Sequence, residues 1–320
     1  MKMNVAAIQS GPVEGDPEKT VQRALDWLDR AAARDVRLAV FPEIYYPGYQ
    51  PLLAAKAQPA QYGERMAYAR SLAEPVPGPV TDRIGTKARQ HGMHVVFALL
   101  EEGEQGRLHN SSVLIGPRGE ILNVHRKTVL TPGIETPELT AGSEFRVTKT
   151  EIGAIGQLIC ADSSCPETSR ILAIKGAQIL CLCMGGFRIR WKDRELMDLL
   201  LDLSHASRTR AVDNSVFLIV ANQTCTASGF EFFGKSRIIN SYGDLLAMGS
   251  EGTDREELLS ATIDVDELSE LPMKLISRRR PDIYREILLT NEEADRISGD
   301  FLVPQEGTRP VPLQNLLRPV

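Results

Sequence analysis

The stretch AIGQLICADSSCPETSRILAIKGAQILCLC, residues 154–183, carries the reading of the fold. Its first six residues form a short, nearly unbroken apolar run, the pattern of a buried strand. The run ends on Cys160. A polar turn follows, and Pro166 then stands where a helix opens, at a position that needs no backbone N–H. The helix is expected to reach about Lys175, and QILCLC (178–183) reads as the next buried strand. Strand, turn, helix and strand in succession point to a layered α/β domain.

The same alternation continues on both sides. NVAAIQ (4–9) and VRLAVF (36–41) read as buried strands. Between them Asp16-Pro17 supplies an N-cap and a first helical residue, and Val21, Leu25, Leu28 and Ala32 recur at helical spacing through about residue 34. HVVFALL (94–100) follows a helix over about 80–91. SSVLIG and EILNVH flank Pro117-Arg118-Gly119 and predict a hairpin over 111–126, and a second hairpin joins 144–149 to 152–159. Beyond the central unit the pattern predicts a long helix over 191–212, a strand SVFLIVA (215–221), and strands near 236–240, 244–248 and 257–263. From Arg278-Arg279-Arg280-Pro281 onward the character changes. Pro304, Pro310, Pro312 and Pro319 suit an extended arm, so the chain divides into a domain over 1–275 and an arm over 276–320.

Composition narrows the function classes. With 42 % hydrophobic and 25 % charged residues the chain can bury a large core. A net charge of −5 lacks the concentrated positive field that nucleic acid requires. No window approaches eighteen apolar residues, which argues against a membrane span, and the opening MKMNVAAIQ is too short an apolar run for a signal peptide. Five cysteines without regular spacing suggest free thiols in a reducing compartment, so the cytoplasm is expected.

Three places can carry chemistry. Glu43, in FPEIYYPGY (41–49), stands just past a strand end, where α/β proteins favour ligand sites. Beside Phe41, Tyr45 and Tyr46 it would be desolvated and suited to act as a base, or it is a solvent-facing glutamate in a turn. Lys127, in HRKTVLTPGIE (125–135), ends a strand and could hold an oxyanion, or it belongs to a surface Arg126-Lys127 pair. Cys160 ends a strand before a tight turn, as a nucleophile or as a buried structural cysteine. Taken together they supply nucleophile, base and cation at one kind of place. His125 is at most a supporting neighbour. Cys165 is the rival thiol, read as pocket wall. Cys181 and Cys183 share a strand face, but the third and fourth ligands that a metal needs are missing from the pattern.

These segments, in this order, resemble the nitrilase superfamily of carbon–nitrogen hydrolases over nearly the whole chain. The likeness rests on Phe41-Pro42-Glu43, on Arg126-Lys127, and on the elbow of Gly156, Cys160, Asp162, Pro166, Glu167, Arg170 and Gly176-Ala177. NSSVLIGPRGEIL (110–122), RTRAVDNSVFLIVAN (208–222), FFGKSRIINSYGD (232–244) and RRRPDIY (278–284) extend it. The resemblance implies a four-layer α-β-β-α sandwich, pairing of two copies as a homodimer or higher homo-oligomer with the arm on the partner, and no metal or organic cofactor. It also implies roles: Cys160 as nucleophile, Glu43 as base, Lys127 and the N–H of Ala161 on the oxyanion, and Glu135 as a second glutamate beside the lysine. Nitrilases carry Trp-Glu after the nucleophile and this chain has Ala161-Asp162, which favours an amide or N-carbamoyl substrate over a nitrile. Ser163-Ser164 replace the paired arginines with which carbamoyl-amino-acid hydrolases hold a carboxylate. Arg188 or Arg190 could take that role or simply be solvated. Tyr45, Tyr46, Tyr49 and Phe187 are candidate pocket aromatics, and Tyr49, Gly185 and Arg188 are the expected substrate contacts. A non-catalytic binding protein on this fold is the contrasting alternative.

Overall fold

The computed structural model describes residues 1–57, 59–188, 190–191, 194–195, 203–270, 275–290 and 293. In chain order the elements that build the domain are β1 (Lys2–Gln9), α1 (Pro17–Ala32), β2 (Val36–Val40), α2 (Gln50–Ala57), α3 (Tyr62–Leu72), α4 (Pro79–His91) and β3 (His94–Glu102). Then come β4 (Leu108–Ile115), β5 (Ile121–Arg126), β6 (Val147–Thr150), β7 (Gly153–Ile159), α5 (Pro166–Ile174) and β8 (Ile179–Met184). A two-rung ladder β9 (Arg190–Trp191) and β10 (Arg194–Glu195) precedes α6 (Leu203–Asn214) and β11 (Phe217–Asn222). The hairpin β12 (Thr224–Ala227) and β13 (Phe230–Phe233) follows, then β14 (Arg237–Ile239), β15 (Leu245–Met248) and β16 (Glu257–Asp264).

Two six-stranded sheets result, ordered β16-β1-β2-β3-β4-β5 and β15-β14-β11-β8-β7-β6. Their central strands run parallel, which requires crossovers, and α1, the run α2–α4, α5 and α6 provide them. Strand alternation sorts the core into layers. Val5, Ala7, Leu38, Val40 and Val96 meet Ile155, Ile159, Ile179, Cys181 and Ile219 between the sheets. Residues of opposite parity, Ala6, Ile8, Val95 and Phe97, pack on Val21, Ala24 and Leu28 of α1 and Ile84 and Ala88 of α4. Leu158, Leu180, Leu182 and Leu218 pack on Leu172 of α5 and Ala211 of α6. The chain therefore folds as the expected α-β-β-α sandwich.

Asp16 caps α1 as its sequence predicts, its Oδ1 accepting from Lys19 N at 2.9 Å. Other expectations need correction. The helix expected over 191–212 is helical only over Leu203–Asn214 among the described residues; Arg190–Trp191 instead pairs antiparallel with Arg194–Glu195, and 196–202 lie outside the described residues. Helices α2 and α3 and the hairpin β12–β13 were not predicted. The segment QPLLAAKA has no apolar stripe to betray a helix, whereas Ser228 and Gly229, both at positive φ, give the hairpin its turn. In the described start of the arm, Leu275–Arg278, Pro281–Ile283 and Arg285–Leu288 form short 3-10 turns. Its remainder, 291–292 and 294–320, lies outside the described residues. Among the described residues no helix is long and apolar enough to cross a membrane.

Candidate active site

Each strand that carries a candidate ends at the same rim. After β2, Phe41 N still bonds Val96 O at 2.9 Å, while Glu43 N turns to Met184 O of the second sheet at 3.2 Å. Gln223, following β11, donates from Nε2 to Glu43 O at 2.5 Å. Glu43 thus bridges the two sheets. After β5, Lys127 N bonds Asn110 O at 2.8 Å and Gly142 N bonds Lys127 O at 2.8 Å. After β7, Cys160 adopts φ +41°, a left-handed conformation costly for a non-glycine residue and common at functional turns.

Glu43, Lys127 and Glu135 are each 0 % exposed, which removes the surface reading for Glu43 and Lys127. Lys127 Nζ donates to Glu43 Oε1 at 2.8 Å, Glu135 Oε2 at 2.7 Å and Thr131 Oγ1 at 3.3 Å. Glu135 Oε2 also accepts from Thr131 N at 2.6 Å, and Tyr49 donates its hydroxyl to Glu135 Oε1 at 3.3 Å. Asn110 joins the two carboxylates, donating from Nδ2 to Glu43 Oε1 at 2.8 Å and Glu135 Oε1 at 2.7 Å. Glu43 Oε2 and Asn110 Oδ1 are buried with no hydrogen-bond partner. Gly185 follows β8 directly, and a Cβ there would lie 2.7 Å from Glu43 Oε2 and 2.9 Å from the Tyr49 ring. Only glycine lets the backbone approach this closely.

The charges act on one another. Burial pushes the Glu43 carboxyl above the ordinary range, against the pull of Lys127 and with Glu135 adding to the rise. Burial works against the Lys127 ammonium, but Glu43, Cys160 and Glu135 outweigh it and hold its pKa above the usual lysine value. Burial also raises the Cys160 thiol, and the facing Glu43 raises it further. At rest the thiol therefore keeps its proton beside a carboxylate able to take it. Cys160 itself remains half-buried, accessible where its partners are not. Ala161 is second in the 3-10 turn Cys160–Ser164, where an N–H has no acceptor within the turn.

Asp162 ties this elbow to the lysine loop. Its Oδ1 accepts from Thr128 N at 2.9 Å, Thr128 Oγ1 at 2.7 Å and Val129 N at 3.0 Å. Its Oδ2 accepts from Ile159 N at 3.0 Å and pairs with His125 Nε2 at 2.8 Å. Burial opposes its charge, but His125 and these donors outweigh it and hold its carboxyl below the usual range. Asp162, which the sequence offers as a mark of substrate class, is thus fully enclosed by donors of its own chain, and His125 supports the site through it.

The remaining candidates divide. Tyr49 joins the cluster and stacks on Phe232 at 5.9 Å. Tyr45 packs edge-on to Phe41 and Phe97 at 5.1 and 5.9 Å in the outer core, with Tyr46 in the same layer. Phe187 stands one ring behind Tyr49, edge-on to Phe232 at 5.8 Å. Arg188 ion-pairs with Glu251 and, at 3.5 Å, with Glu231, carboxylates of its own chain. The side chain of Arg190 lies outside the described residues. Cys181 and Cys183 are buried between the sheets, and no group of three or more metal-ligating side chains occurs among the described residues. Asn110, Thr131 and Gln223 were missed. Asn110 had a signal, because it heads the landmark NSSVLIGPRGEIL, but a lone asparagine in a strand advertises no chemistry.

Comparison with known proteins agrees with this fold. Residues 4–273 match the family model for carbon–nitrogen hydrolases. An (R)-stereoselective amidase from Pseudomonas sp is 30 % identical over 298 residues, covering 90 % of this chain and 98 % of that protein. A probable nitrilase from Schizosaccharomyces pombe is 26 % identical over 90 % of this chain and 99 % of that one. Among solved structures, a carbon–nitrogen hydrolase from Helicobacter pylori G27 superposes with a TM-score of 0.75 at 24 % identity, over 90 % of this chain and 99 % of that chain. The match spans both sheets and the rim between them, and so the chain belongs to the carbon–nitrogen hydrolase family.

Proposed function

We propose that this carbon–nitrogen hydrolase cleaves a linear amide or N-carbamoyl compound through Glu43, Lys127 and Cys160. One observation carries the reading: Glu43 Oε1 is occupied by Lys127 and Asn110, while Oε2 is buried and bare, on a carboxyl group close enough to the Cys160 thiol to raise its pKa. A buried carboxylate oxygen without a donor is costly unless it has a proton to receive.

In this mechanism Glu43 Oε2 takes the Cys160 proton as Sγ bonds to the substrate carbonyl carbon. The carbonyl oxygen becomes an oxyanion, received by Lys127 Nζ and the Ala161 N–H. All three ammonium hydrogens of Lys127 are engaged at rest, and the 3.3 Å bond to Thr131 is the longest and the one to yield. The C–N bond then breaks, Glu43 returns its proton to the leaving nitrogen, and a thioester remains. Water attacks the thioester, giving one proton to Glu43, and the acid departs as the thiol reforms its S–H bond. Glu135 and Tyr49 keep Lys127 and the carboxylates in register. Ala161-Asp162, in place of Trp-Glu, supports amide and ureido carbonyls over nitriles.

An ammonia-release panel of aliphatic amides, aromatic amides, N-carbamoyl amino acids, carbamoyl amines and nitriles tests the proposal. Release from amides or ureido compounds is expected, with an acyl adduct on Cys160 by mass spectrometry and none in Cys160→Ala. Conversion of nitriles alone would move the assignment to a nitrilase. Undiminished turnover by a folded Cys160→Ala would remove the thiol mechanism altogether.

A further inference from the structure

Within the site just described, a single uncharged amide nitrogen donates to both carboxylates. Asn110 lies on β4 with its side chain buried, its backbone O holding Lys127 N at 2.8 Å and its Nδ2 reaching Glu43 Oε1 and Glu135 Oε1. The cluster contains two carboxylates and one ammonium, all at 0 % exposure. One cation cannot cancel two anions, and like charges this close repel strongly at low dielectric. A neutral donor placed between them eases that repulsion without adding a charge. It also fills one oxygen of Glu43 a second time, so that rotation of the carboxylate would break bonds to both Asn110 and Lys127.

We propose that Asn110 is a positioning residue for Glu43, holding Oε1 so that Oε2 alone is presented to the Cys160 proton. A lysine or arginine in its place would drain the basicity of Glu43, and a carboxylate would force the cluster to retain a proton. Asparagine does neither. The titratable groups facing Glu43 are Lys127, Glu135, Tyr49, Cys160 and, from β8, Cys183. Asn110 is the uncharged member whose Nδ2 donates to both Glu43 Oε1 and Glu135 Oε1.

The inference rests on Glu43 being the base, so the test must separate its failure from failure of that reading. The measurement is the pH dependence of Cys160 alkylation by iodoacetamide, followed by mass spectrometry, together with that of kcat/KM on the best substrate of the ammonia panel. Glu43→Gln serves as reference. If it leaves Cys160 alkylation and its pH profile as in the wild type, the base assignment itself fails. With Glu43 confirmed, Asn110→Ser removes a hydrogen bond from the anionic form of Glu43, and Asn110→Asp adds a third carboxylate. Both are expected to move the acid limb to higher pH, Asn110→Asp by about one unit or more, and to lower kcat more than they raise KM. Asn110→Gln, which keeps the amide, should restore part of the rate if its longer side chain is accommodated. Should Asn110→Asp fail to fold, Asn110→Ser carries the test. An acid limb unchanged in a folded variant, with only its melting temperature reduced, would make Asn110 a structural residue and overturn the inference.

Discussion

Replacing Asp162 with asparagine changes no volume and yet should loosen the site. The carboxylate accepts from Thr128 N, Thr128 Oγ1 and Val129 N on one oxygen, and from Ile159 N and His125 on the other. However the new amide is turned, its NH2 faces backbone N–H groups. The milder orientation turns it toward Ile159 and His125, leaving the Ile159 N–H unsatisfied at about 1–3 kcal/mol. The three bonds that remain lose their charge assistance, roughly 1 kcal/mol each. The expected loss is thus about 4–6 kcal/mol, a large share of the roughly 5–15 kcal/mol by which a domain is stable. Because Ile159 precedes Cys160 and Thr128 follows Lys127, the same change lets nucleophile and cation drift apart, and about an ångström of drift costs about a hundredfold in rate. The lowered pKa of Asp162 adds a pH signature. Its stabilisation is present above the unfolded value of about 3.9 and is lost as pH falls through the folded value. Urea unfolding of wild type and Asp162→Asn should therefore differ at pH 7 and converge in acid, with kcat/KM reduced at pH 7. A variant within about 1 kcal/mol of wild type, with unimpaired turnover, would refute the clamp.

Three further outcomes follow from the same geometry. Lys127→Met leaves Glu43 and Glu135 buried together without their cation, so it should cost about 3–5 kcal/mol at pH 7.5 and regain stability as pH falls and protons replace the lysine; a melting curve that worsens in acid contradicts this. Gly185→Ala places a methyl 2.7 Å from Glu43 Oε2, so ammonia release should collapse while unfolding shifts by only about 1–3 kcal/mol; retained activity would mean the rim yields more easily than the contacts indicate. His94 is buried, with both ring nitrogens unbonded and Glu151 Oε2 at 3.6 Å, and burial lowers its pKa although Glu151 opposes the fall and Arg37 reinforces it. Below about pH 6.5 the unfolded chain gains a proton that the folded chain resists, a loss of up to roughly 1.4 kcal/mol per pH unit. His94→Leu should remove that slope between pH 7.5 and 5.5 in urea titrations, and an unchanged slope would place the acid sensitivity elsewhere.

The chain by itself determined the alternation of buried strands and helices, the cap at Asp16 and three candidate positions at strand ends. Buried strands read as apolar runs whatever surrounds them, and Glu43, Lys127 and Cys160 each stand just past such a run. Order along the chain then made three ambiguous residues into one expected chemistry. Only the tertiary structure decided how they are arranged. That Glu43 bridges two sheets, that Asn110 spans two carboxylates, and that Asp162 grips the lysine loop depend on contacts between residues 25 to 180 positions apart. No periodicity encodes such pairings. Hydrogen bonding of a buried polar group is satisfied by whichever donor the packed sheets bring near, and that neighbour exists only once both sheets have closed on their common core.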